Sequence, residues 1–495
     1  MNSSLRIVLI VLLGALAAVV MGVGLANESL LLSFLAVGML FWAIIEWAGG
    51  PLPEAWLLAA ILAGYIIGNR GFAQLSLSSV VPLLPAETVL LVALPALGAR
   101  MAFGQMRAFY RDSLNYALLA WVLLGAARLP LDISHHGFFA LRDFAMVYYA
   151  AFFFLGQAFA GHAASTRLLK RALTASFVAL PLVAAVEEWV PGYFFTHFTV
   201  RGVPVIYHKS DLLAACLAGG FFWLWTRWEK SGHKLWLLPA AANLLMLGTT
   251  ASSRAAMFAL GVVTVMWLVA RRWRIAAAQV LIVGTAVSVV IFISALGNNN
   301  LRQTAVYSTY EHAISIFDVG GTGTYVNQAS GNPGENNRFR MIWWRTVIQD
   351  TLAQNPVLGL GFGYDLAARF LVEYELLAAE DFATRSPHSM LVSVLGRMGF
   401  VGLGLWLAVA AGMLSLTVRC FQQGNLDSIG LVSLAWVLWF SACFGVVLEG
   451  PMGAVVFWTA LGLANAGLTD LPADEPVLAE DLQPAAPPDE VAASL

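Results

Sequence analysis

Long apolar windows separated by short polar breaks run through most of the chain. A membrane-spanning helix needs about 20 mostly apolar residues to cross the hydrocarbon layer, and the sequence offers roughly fourteen such windows. The pattern predicts an all-α, polytopic integral membrane protein with about 12–14 transmembrane helices. The windows are 6–26, 29–48, 54–69, 79–97, 113–128, 138–160, 171–190, 209–227, 234–250, 254–271, 275–296, 388–417, 428–448 and 451–468.

Composition supports this prediction and narrows the possible partners. Hydrophobic residues make up 59% of the chain and charged residues only 11%, whereas an average soluble domain is about 25% charged. A water-soluble fold of this size is therefore excluded, and the lipid bilayer is the first expected partner. The net charge is −2, and no basic stripe or arginine-rich arm is present. Nucleic acid is therefore not an expected partner.

The distribution of basic residues orients the predicted spans. With the N-terminus inside, 14 of the 27 lysines and arginines fall on the cytoplasmic side and six in short outer loops and adjoining span ends. This bias follows the positive-inside rule for a bacterial inner membrane. The remaining seven are six arginines of one long outer segment and Arg397, which lies inside a predicted span.

The windows divide the chain into four parts. Residues 1–296 form an N-terminal bundle of about eleven spans, and residues 388–468 form about three C-terminal spans. Between them, residues 297–387 are a large, partly helical loop on the periplasmic side, the only predicted soluble part that is large enough to build a site. The tail 469–495 is rich in Pro, Ala, Asp and Glu. It is expected to be cytoplasmic and disordered.

The two halves of the outer loop differ in pattern. The first half is rich in glycine, which predicts a mobile loop. A glycine-rich phosphate-binding loop is the alternative, but no lysine follows as in a P-loop. In the second half, Asn336 or Asn337 can cap an amphipathic helix that ends before Asn355-Pro356. The apolar residues at helical spacing are Phe339, Ile342, Trp343, Val347 and Leu352.

Several basic residues near the outer surface are candidates for chemistry. Arg338 and Arg345, seven apart, share a face of the predicted helix, and Arg340 lies beside them; binding to lipid headgroups is the alternative. Arg254 stands at the outer end of a span, where snorkelling is the alternative to a substrate. His388 follows Pro387 and begins the 388–417 window. The helix dipole should favour its neutral form, which can accept a proton.

The sequence gives no support for a metal or another cofactor. Six of the eight histidines fall on the outer side, but no pair has HxxxH or HExxH spacing, and the outer loops lack a DxD pair. A leaving diphosphate would therefore be neutralised by cationic side chains, for which arginine is well suited.

Three further features leave alternatives open. Arg142 and Asp143 form either a local ion pair or a contact with an acceptor sugar. Arg397 either pairs with an acid or lines the site from below. The run from Gly359 to Tyr364 follows a helix rather than a strand, so it predicts a tight turn and not a dinucleotide-binding loop.

A set of motifs surrounds the one large outer loop, with Ser253-Arg254 upstream of it. The others are Asn337-Arg338 through Trp344, the run from Asn355-Pro356 to Gly363, Pro387-His388-Ser389, Gly396 and Gly399-Phe400-Val401-Gly402. In this order, the motifs resemble the O-antigen ligase and O-antigen polymerase superfamily of bacterial membrane glycan enzymes, and the resemblance covers residues 252–402. Two departures are Ser389, where asparagine is common, and fourteen predicted spans instead of about twelve.

The resemblance implies a GT-C-like membrane glycosyltransferase that is metal-independent and inverting. Its donor would be an undecaprenyl-diphosphate-linked glycan, and its acceptor a glycan or lipid A core. The likeness does not distinguish lipopolysaccharide ligation, exopolysaccharide polymerisation and protein glycosylation. Carried onto this chain, His388 would orient or deprotonate the acceptor hydroxyl, and Arg254 and Arg338 would bind the diphosphate. The further predicted substrate-binding residues are Arg340, Arg345, Arg142 and Ser389.

Two other functional classes of protein also have many membrane spans. A transporter or lipid-linked glycan flippase would place charges at mid-membrane in repeated halves, whereas here the charges crowd the outer edge and no internal repeat is visible. A non-catalytic component of a polysaccharide export machine would use the tail for docking.

Overall fold

The computed structural model describes residues 19, 50–76, 84–190, 192–249, 253–296, 302, 304–318, 323, 325, 333–373 and 386–469. These residues are almost entirely helical, which confirms the predicted all-α, polytopic class. Among them, nine helices are long and apolar enough to cross a membrane, and two shorter apolar helices accompany them. The windows 6–26, apart from residue 19, and 29–48, the tail from residue 470, and most of the glycine-rich half of the outer loop lie outside the described residues.

We number the helices in chain order, treating Pro53–Ala73 and Phe138–Ala160 as single, locally broken helices. One two-stranded antiparallel sheet, β1 (Thr199–Val200) and β2 (Val203–Pro204), joins the fifth and seventh helices. The helices are α1 (Pro53–Ala73), α2 (Pro85–Ala102), α3 (Ser113–His136), α4 (Phe138–Ala160), α5 (Ala163–Trp189), α6 (Tyr193–His197), α7 (Ser210–Ser231), α8 (Leu237–Thr249), α9 (Arg254–Val269), α10 (Arg274–Leu296), α11 (Ala305–Ile314), α12 (Pro333–Gln354), α13 (Ala368–Glu373), α14 (Met390–Gln423), α15 (Leu426–Cys443) and α16 (Pro451–Thr469).

Each of the twelve windows predicted from residue 54 onward contains a helix, but several helices are longer than their windows. The short window 113–128 is the 24-residue helix α3, and α14 runs past residue 417 to Gln423. Helices extend beyond the hydrocarbon layer at both ends, where charged residues no longer count as apolar. Hydropathy windows therefore underestimate helix length at the ends.

Helix α7 forms the centre of the bundle. Every residue from Leu212 to Thr226 is buried, as expected for a helix that is apolar on all sides. It packs against α8, α9 and α15, while α16 packs against α4 and α15. A tryptophan cluster fills the space between α14 and its neighbours, with the rings of Trp406 and Trp439 stacked at a centroid distance of 4.3 Å. This core holds the helix ends in fixed positions.

The two ends of α7 carry separate charged clusters. Lys209 precedes its first residue, whereas Arg227 and Lys230 near its last turn both bind Asp427, at 2.9 and 3.0 Å. Lys170 binds the same carboxylate at 2.8 Å. The 18 residue-to-residue steps from Lys209 to Arg227 span about 27 Å, close to the thickness of the hydrocarbon layer. The clusters therefore lie at opposite ends of the bundle.

The end of α1 is fixed to the segment that precedes α7. Gly71 donates its backbone N–H to the Tyr207 carbonyl at 3.1 Å, and Tyr207 donates to Gly68 at 3.1 Å. The Asn69 side chain accepts from the backbone N–H of Lys209 at 3.1 Å. Residues that are far apart in sequence, such as those at 70 and 209, are thereby held at the same end of the bundle.

Helix α14 is broken at Gly399, where φ is +63°. The turn after α12 packs into this break: Phe400 donates its backbone N–H to Pro356 at 2.9 Å, and Leu360 donates to Gly396 at 2.7 Å. Non-helical backbone next to membrane is tolerated only where such bonds satisfy it. The run from Gly359 to Tyr364 is thus a tight turn, as predicted.

Replacing Gly399 with alanine should destabilise the protein. A Cβ at this position would lie 2.3 Å from the Val357 carbonyl oxygen, and the positive φ alone costs an L-residue about 1–3 kcal/mol. We expect Gly399→Ala to lower the unfolding temperature of the detergent-solubilised protein, followed by tryptophan fluorescence.

Gly404→Ala in the same helix is the matched control, because a Cβ there meets nothing within 4 Å and alanine favours helix by up to about 1 kcal/mol. Equal unfolding temperatures for the two variants would contradict the proposed role of the break.

Candidate active site

The first of two neighbouring pockets lies where the start of α9 meets α12, and we call it the arginine pocket. The guanidinium groups of Arg254 and Arg340 line it, and its volume is about 370 Å³, within the usual range for small-molecule sites. The rest of its wall is largely apolar and aromatic. That wall includes Phe258, Phe317, Asn337, Met341, Trp344 and Phe444.

Asn337 positions Arg254 within this pocket. Arg254 is the first residue of α9, and its Nη1 donates to Asn337 Oδ1 at 2.7 Å. The Asn337 amide in turn donates to the carbonyls of Asp318 at 2.7 Å and Ser315 at 3.2 Å. The asparagine that the sequence suggested as a helix cap thus lies inside α12, which begins earlier, at Pro333. It connects three segments around the guanidinium.

Arg340 brings a second positive charge to the same pocket. Its Nη1 donates to the Phe444 carbonyl at 2.6 Å, which ties α12 to the end of α15. Burial lowers the pKa of Arg340, and the nearby charge of Arg254 lowers it further, whereas Asp211 raises it. Two guanidinium groups that repel each other in a partly desolvated pocket favour binding of an anion.

The second pocket, the histidine pocket, adjoins the first and also has a volume of about 370 Å³. Most of its lining residues are charged or polar, in contrast to those of the arginine pocket. Its side chains come from the ends of α1, α4, α7 and α14 and from the connection between α15 and α16. The lining residues include Arg70, Arg142, Asp143, Lys209, Ser386, His388, Arg397 and Glu449.

His388 lies just before α14 in a constrained backbone conformation. Its φ is +54°, which is rare for a residue other than glycine and typical of functional sites. Two neighbours hold the segment: Trp344 Nε1 donates to the Pro387 carbonyl at 2.6 Å, and the Trp343 ring lies edge-on to the imidazole at 6.0 Å. The helix itself begins at Met390, with Ser389 as its N-cap.

The environment of His388 favours the neutral imidazole. Burial lowers the pKa of His388 to about 4, and the positive charges of Arg340 and Lys209 add to this effect, against the opposing charge of Asp211. The sequence suggested the helix dipole as the cause, but burial and these two cations account for the shift. Arg340 lines the arginine pocket and Lys209 the histidine pocket, so the imidazole is electrostatically coupled to both.

A buried ion pair forms the floor of the histidine pocket. Arg397 Nη1 lies 2.6 Å from Asp143 Oδ2, and both side chains are less than 10% exposed. Asp143 also accepts from the backbone N–H of Gly363 at 3.0 Å, and Arg142 lies 3.8 Å from it. Both sequence alternatives for Arg397 hold, because it pairs with an acid and lines the pocket. Glu449 lines the same pocket, and burial raises its pKa.

A second ion pair anchors the glycine-rich turn nearby. Arg128 and Asp132 of α3 pair at 3.0 Å. Arg128 donates to the Gly359 carbonyl at 2.9 Å, and Asp132 accepts from the backbone N–H of Phe362 at 2.8 Å. The backbone N–H groups of this turn bind protein carboxylates and carbonyls, so the turn supports the site and does not hold a phosphate.

The structure brings together some of the predicted site residues and not others. Arg254 and Arg340 share one pocket, and His388 and Arg142 share the adjoining one. Arg338 and Arg345 occupy the exposed face of α12 and line neither pocket. Ser389 is buried, and its hydroxyl caps α14 by accepting from Val392 N at 3.5 Å. Among the described residues, no group of three or more metal-binding side chains is present, and metal independence stays a prediction.

Residues 237–407 match the family model described as O-antigen ligase. This match confirms the resemblance to the O-antigen ligase and polymerase superfamily. The matched segment includes both arginines of the arginine pocket and His388. A segment of the O-antigen ligase type thus lies within a multi-pass membrane protein. No curated protein matches the sequence significantly.

Sequence reasoning did not propose Asn337, Arg70, Lys209 or Glu449 as site residues, although each lines one of the two pockets. Asn337 was considered as a helix cap and as part of a family motif. Glu449 had a usable signal, since an acid between two apolar spans is usually functional or paired. Arg70 and Lys209 carry no local signal, because the pairing of Gly68 and Gly71 with Tyr207 brings them together. All except Asn337 lie outside the ligase-type segment.

Breaking the ion pair in the floor should destabilise the ligase-type site. Asp143→Asn leaves the Arg397 charge buried without its carboxylate, a change that typically costs about 3–5 kcal/mol. We expect a lower unfolding temperature in detergent than for the wild type.

Asp350→Asn serves as the control, since Asp350 pairs at 2.6 Å with the exposed Arg369, and an exposed pair contributes little. Equal losses in the two variants would show that burial of the Asp143 pair is not decisive.

Proposed function

We propose that this protein transfers a glycan from an undecaprenyl-diphosphate-linked donor to an acceptor hydroxyl, without a metal ion and with inversion, on the periplasmic side of the inner membrane. One observation carries the proposal. Two guanidiniums converge in one pocket, and a constrained imidazole, held neutral partly by Arg340, lies in the pocket beside it. An anion site and a general base are the two parts that this reaction requires.

The arginine pocket suits the donor. Arg254 and Arg340 can bind a diphosphate through their fixed forks of donors, which keep their charge at neutral pH. The apolar wall formed by Phe258, Met341 and Phe444 suits the first units of a lipid chain. A lipid-linked diphosphate has both an anionic group and an apolar chain, so it matches the two kinds of wall.

His388 suits the deprotonation of the acceptor. With a lowered pKa, the imidazole is neutral at physiological pH but is a weak base, so it orients the acceptor hydroxyl by accepting its hydrogen bond. It takes the proton as the hydroxyl oxygen attacks the anomeric carbon and becomes more acidic, while the bond from this carbon to the diphosphate oxygen breaks. Arg254 and Arg340 stabilise the charge that develops on the leaving group.

The relative position of the two pockets favours inversion. The base lines one pocket and the cations that receive the leaving group line the other. Attack and departure on opposite sides of one carbon invert its configuration, as in glycosidases whose base and acid flank the sugar.

The charge distribution supports a periplasmic site. Both pockets lie at the end of the bundle where α7 begins, and the cluster of Arg227, Lys230, Lys170 and Asp427 lies where α7 ends. In the predicted topology, the short loops and adjoining span ends on the side where α7 ends hold 14 of the 27 lysines and arginines, against six on the side where α7 begins. The positive-inside rule makes the richer side cytoplasmic. The arginine and histidine pockets would then open to the periplasm.

Glycan transfer by the purified protein tests the proposal. With a lipid-linked glycan donor and an acceptor, product should form at the same rate with and without EDTA. Arg340→Ala should lower the rate by about 10²–10³-fold, the usual effect of removing one donor to a developing anion. His388→Ala should lower it by about 10²–10⁴-fold.

Arg345→Ala is the matched control, because this arginine lies on the exposed face of the same helix. It should retain nearly full activity. Normal transfer by His388→Ala would refute the assignment, and so would equal losses in Arg340→Ala and Arg345→Ala.

The pH dependence of kcat/KM gives a second test. Because the pKa of His388 is lowered to about 4, the base stays active from neutral pH downward, and the acidic limb should lie near pH 4 instead of the usual 6.5. Arg340→Gln removes a positive charge that disfavours the imidazolium. The limb should therefore move to higher pH in this variant, although the rate is lower.

Arg345→Gln should leave the limb in place, since this side chain is exposed and lines neither pocket. A limb that does not move in Arg340→Gln would contradict the coupling between this arginine and the imidazole.

A further inference from the structure

The histidine pocket contains more positive charge than its own acids neutralise. Arg70, Arg142, Lys209 and Arg397 line it, against the carboxyl groups of Asp143 and Glu449. Arg397 is bound to Asp143 at 2.6 Å, and Lys209 is bound at 3.2 Å to Asp211 beside the pocket. The charges of Arg397 and Lys209 are thus offset by a close carboxylate, which leaves Arg70 and Arg142.

Arg70 and Arg142 supply the excess charge. The Arg70 guanidinium lies over the Tyr207 ring, 5.5 Å from its centroid, and among the described residues it forms no ion pair. Arg142 is 3.8 Å from Asp143, a carboxylate already bound to Arg397, and half of its side chain is exposed to solvent. Both guanidiniums therefore have donors available to a molecule that enters the pocket.

The fold anchors the backbone beside each of these two arginines. Arg70 follows Asn69, which is paired with the segment before α7. Arg142 lies at the start of α4, next to the buried Asp143. Both side chains line the same pocket, and because their backbones are anchored, less conformational freedom is lost when an anion binds between them.

Among the described residues, Glu449 forms no ion pair with either arginine. It is half-buried and accepts from Ser393 Oγ at 2.7 Å, and burial raises its pKa. The pocket therefore offers two kinds of group: the charged donors of Arg70 and Arg142, and the hydrogen-bonding side chains of Ser386 and Glu449. Such a combination suits a saccharide that carries one acidic group.

We infer that the histidine pocket binds an acceptor saccharide that carries a phosphate or carboxylate group, and that Arg70 and Arg142 recognise this group. The inference rests on the proposed function, since it places the acceptor beside His388. Both arginines lie outside the segment 237–407 that matches the ligase family. The residues that bind the acidic group thus come from one part of the chain. His388 and the two arginines of the arginine pocket come from another.

Binding of three sugars to the full-length protein in detergent tests the inference without any turnover. The probes are glucose 6-phosphate, glucuronate and uncharged glucose at equal ionic strength, measured by isothermal titration calorimetry or saturation-transfer NMR. At least one acidic sugar should bind about tenfold more tightly than glucose, the effect of one charged hydrogen bond. Preference for the phosphate or for the carboxylate identifies which acidic group the pocket recognises.

The variants Arg70→Gln and Arg142→Gln should each reduce this preference, and the double variant should abolish it. Arg345→Gln, which removes an exposed arginine outside the pocket, should retain it. Equal binding of all three sugars by the wild type, or a preference that persists in the double variant, would overturn the inference. A preference for acidic sugars in a protein that transfers no glycan would support the anion site and overturn the proposed function alone.

Discussion

The backbone pairing between the break in α14 and the turn that follows α12 organises the whole site. Phe400 donates its backbone N–H to the Pro356 carbonyl, and Leu360 donates to the Gly396 carbonyl. These bonds satisfy polar backbone groups that would otherwise be exposed within a membrane bundle. The same pairing places Gly363 against Asp143, and Asp143 against Arg397. The floor of the histidine pocket is therefore built from the same contacts that allow α14 to be broken.

Burial has opposite effects on the two kinds of charge in this site. The pair of Asp143 and Arg397 is enclosed, and each charge offsets the desolvation of the other. Arg254 and Arg340 have the same sign, so their proximity raises the free energy of the empty pocket. This difference explains why the pair of Asp143 and Arg397 stabilises the fold, whereas Arg254 and Arg340 are suited to binding an anionic ligand. Binding of an anion between them would reduce this repulsion.

The fold class and the approximate helices could be predicted from hydropathy because the bilayer fixes the length of each span. Arg254 and His388 could be proposed because each lies at the start of a predicted span beside the outer loop, although α14 itself begins two residues after His388. The choice between Arg338 and Arg340 could not, since two residues correspond to a rotation of about 200° on a helix, and one sequence does not reveal which face of α12 meets α9. Arg70 and Lys209 were missed for a related reason: their proximity depends on a pairing across 140 residues.

Trp344 connects the two pockets through one hydrogen bond. It lines the arginine pocket, and its indole nitrogen is bonded to the Pro387 carbonyl, next to His388. The wall beside the arginines is therefore attached directly to the backbone that carries the imidazole. Loss of this one indole would alter both compartments at once, because the same ring is wall for one and backbone support for the other.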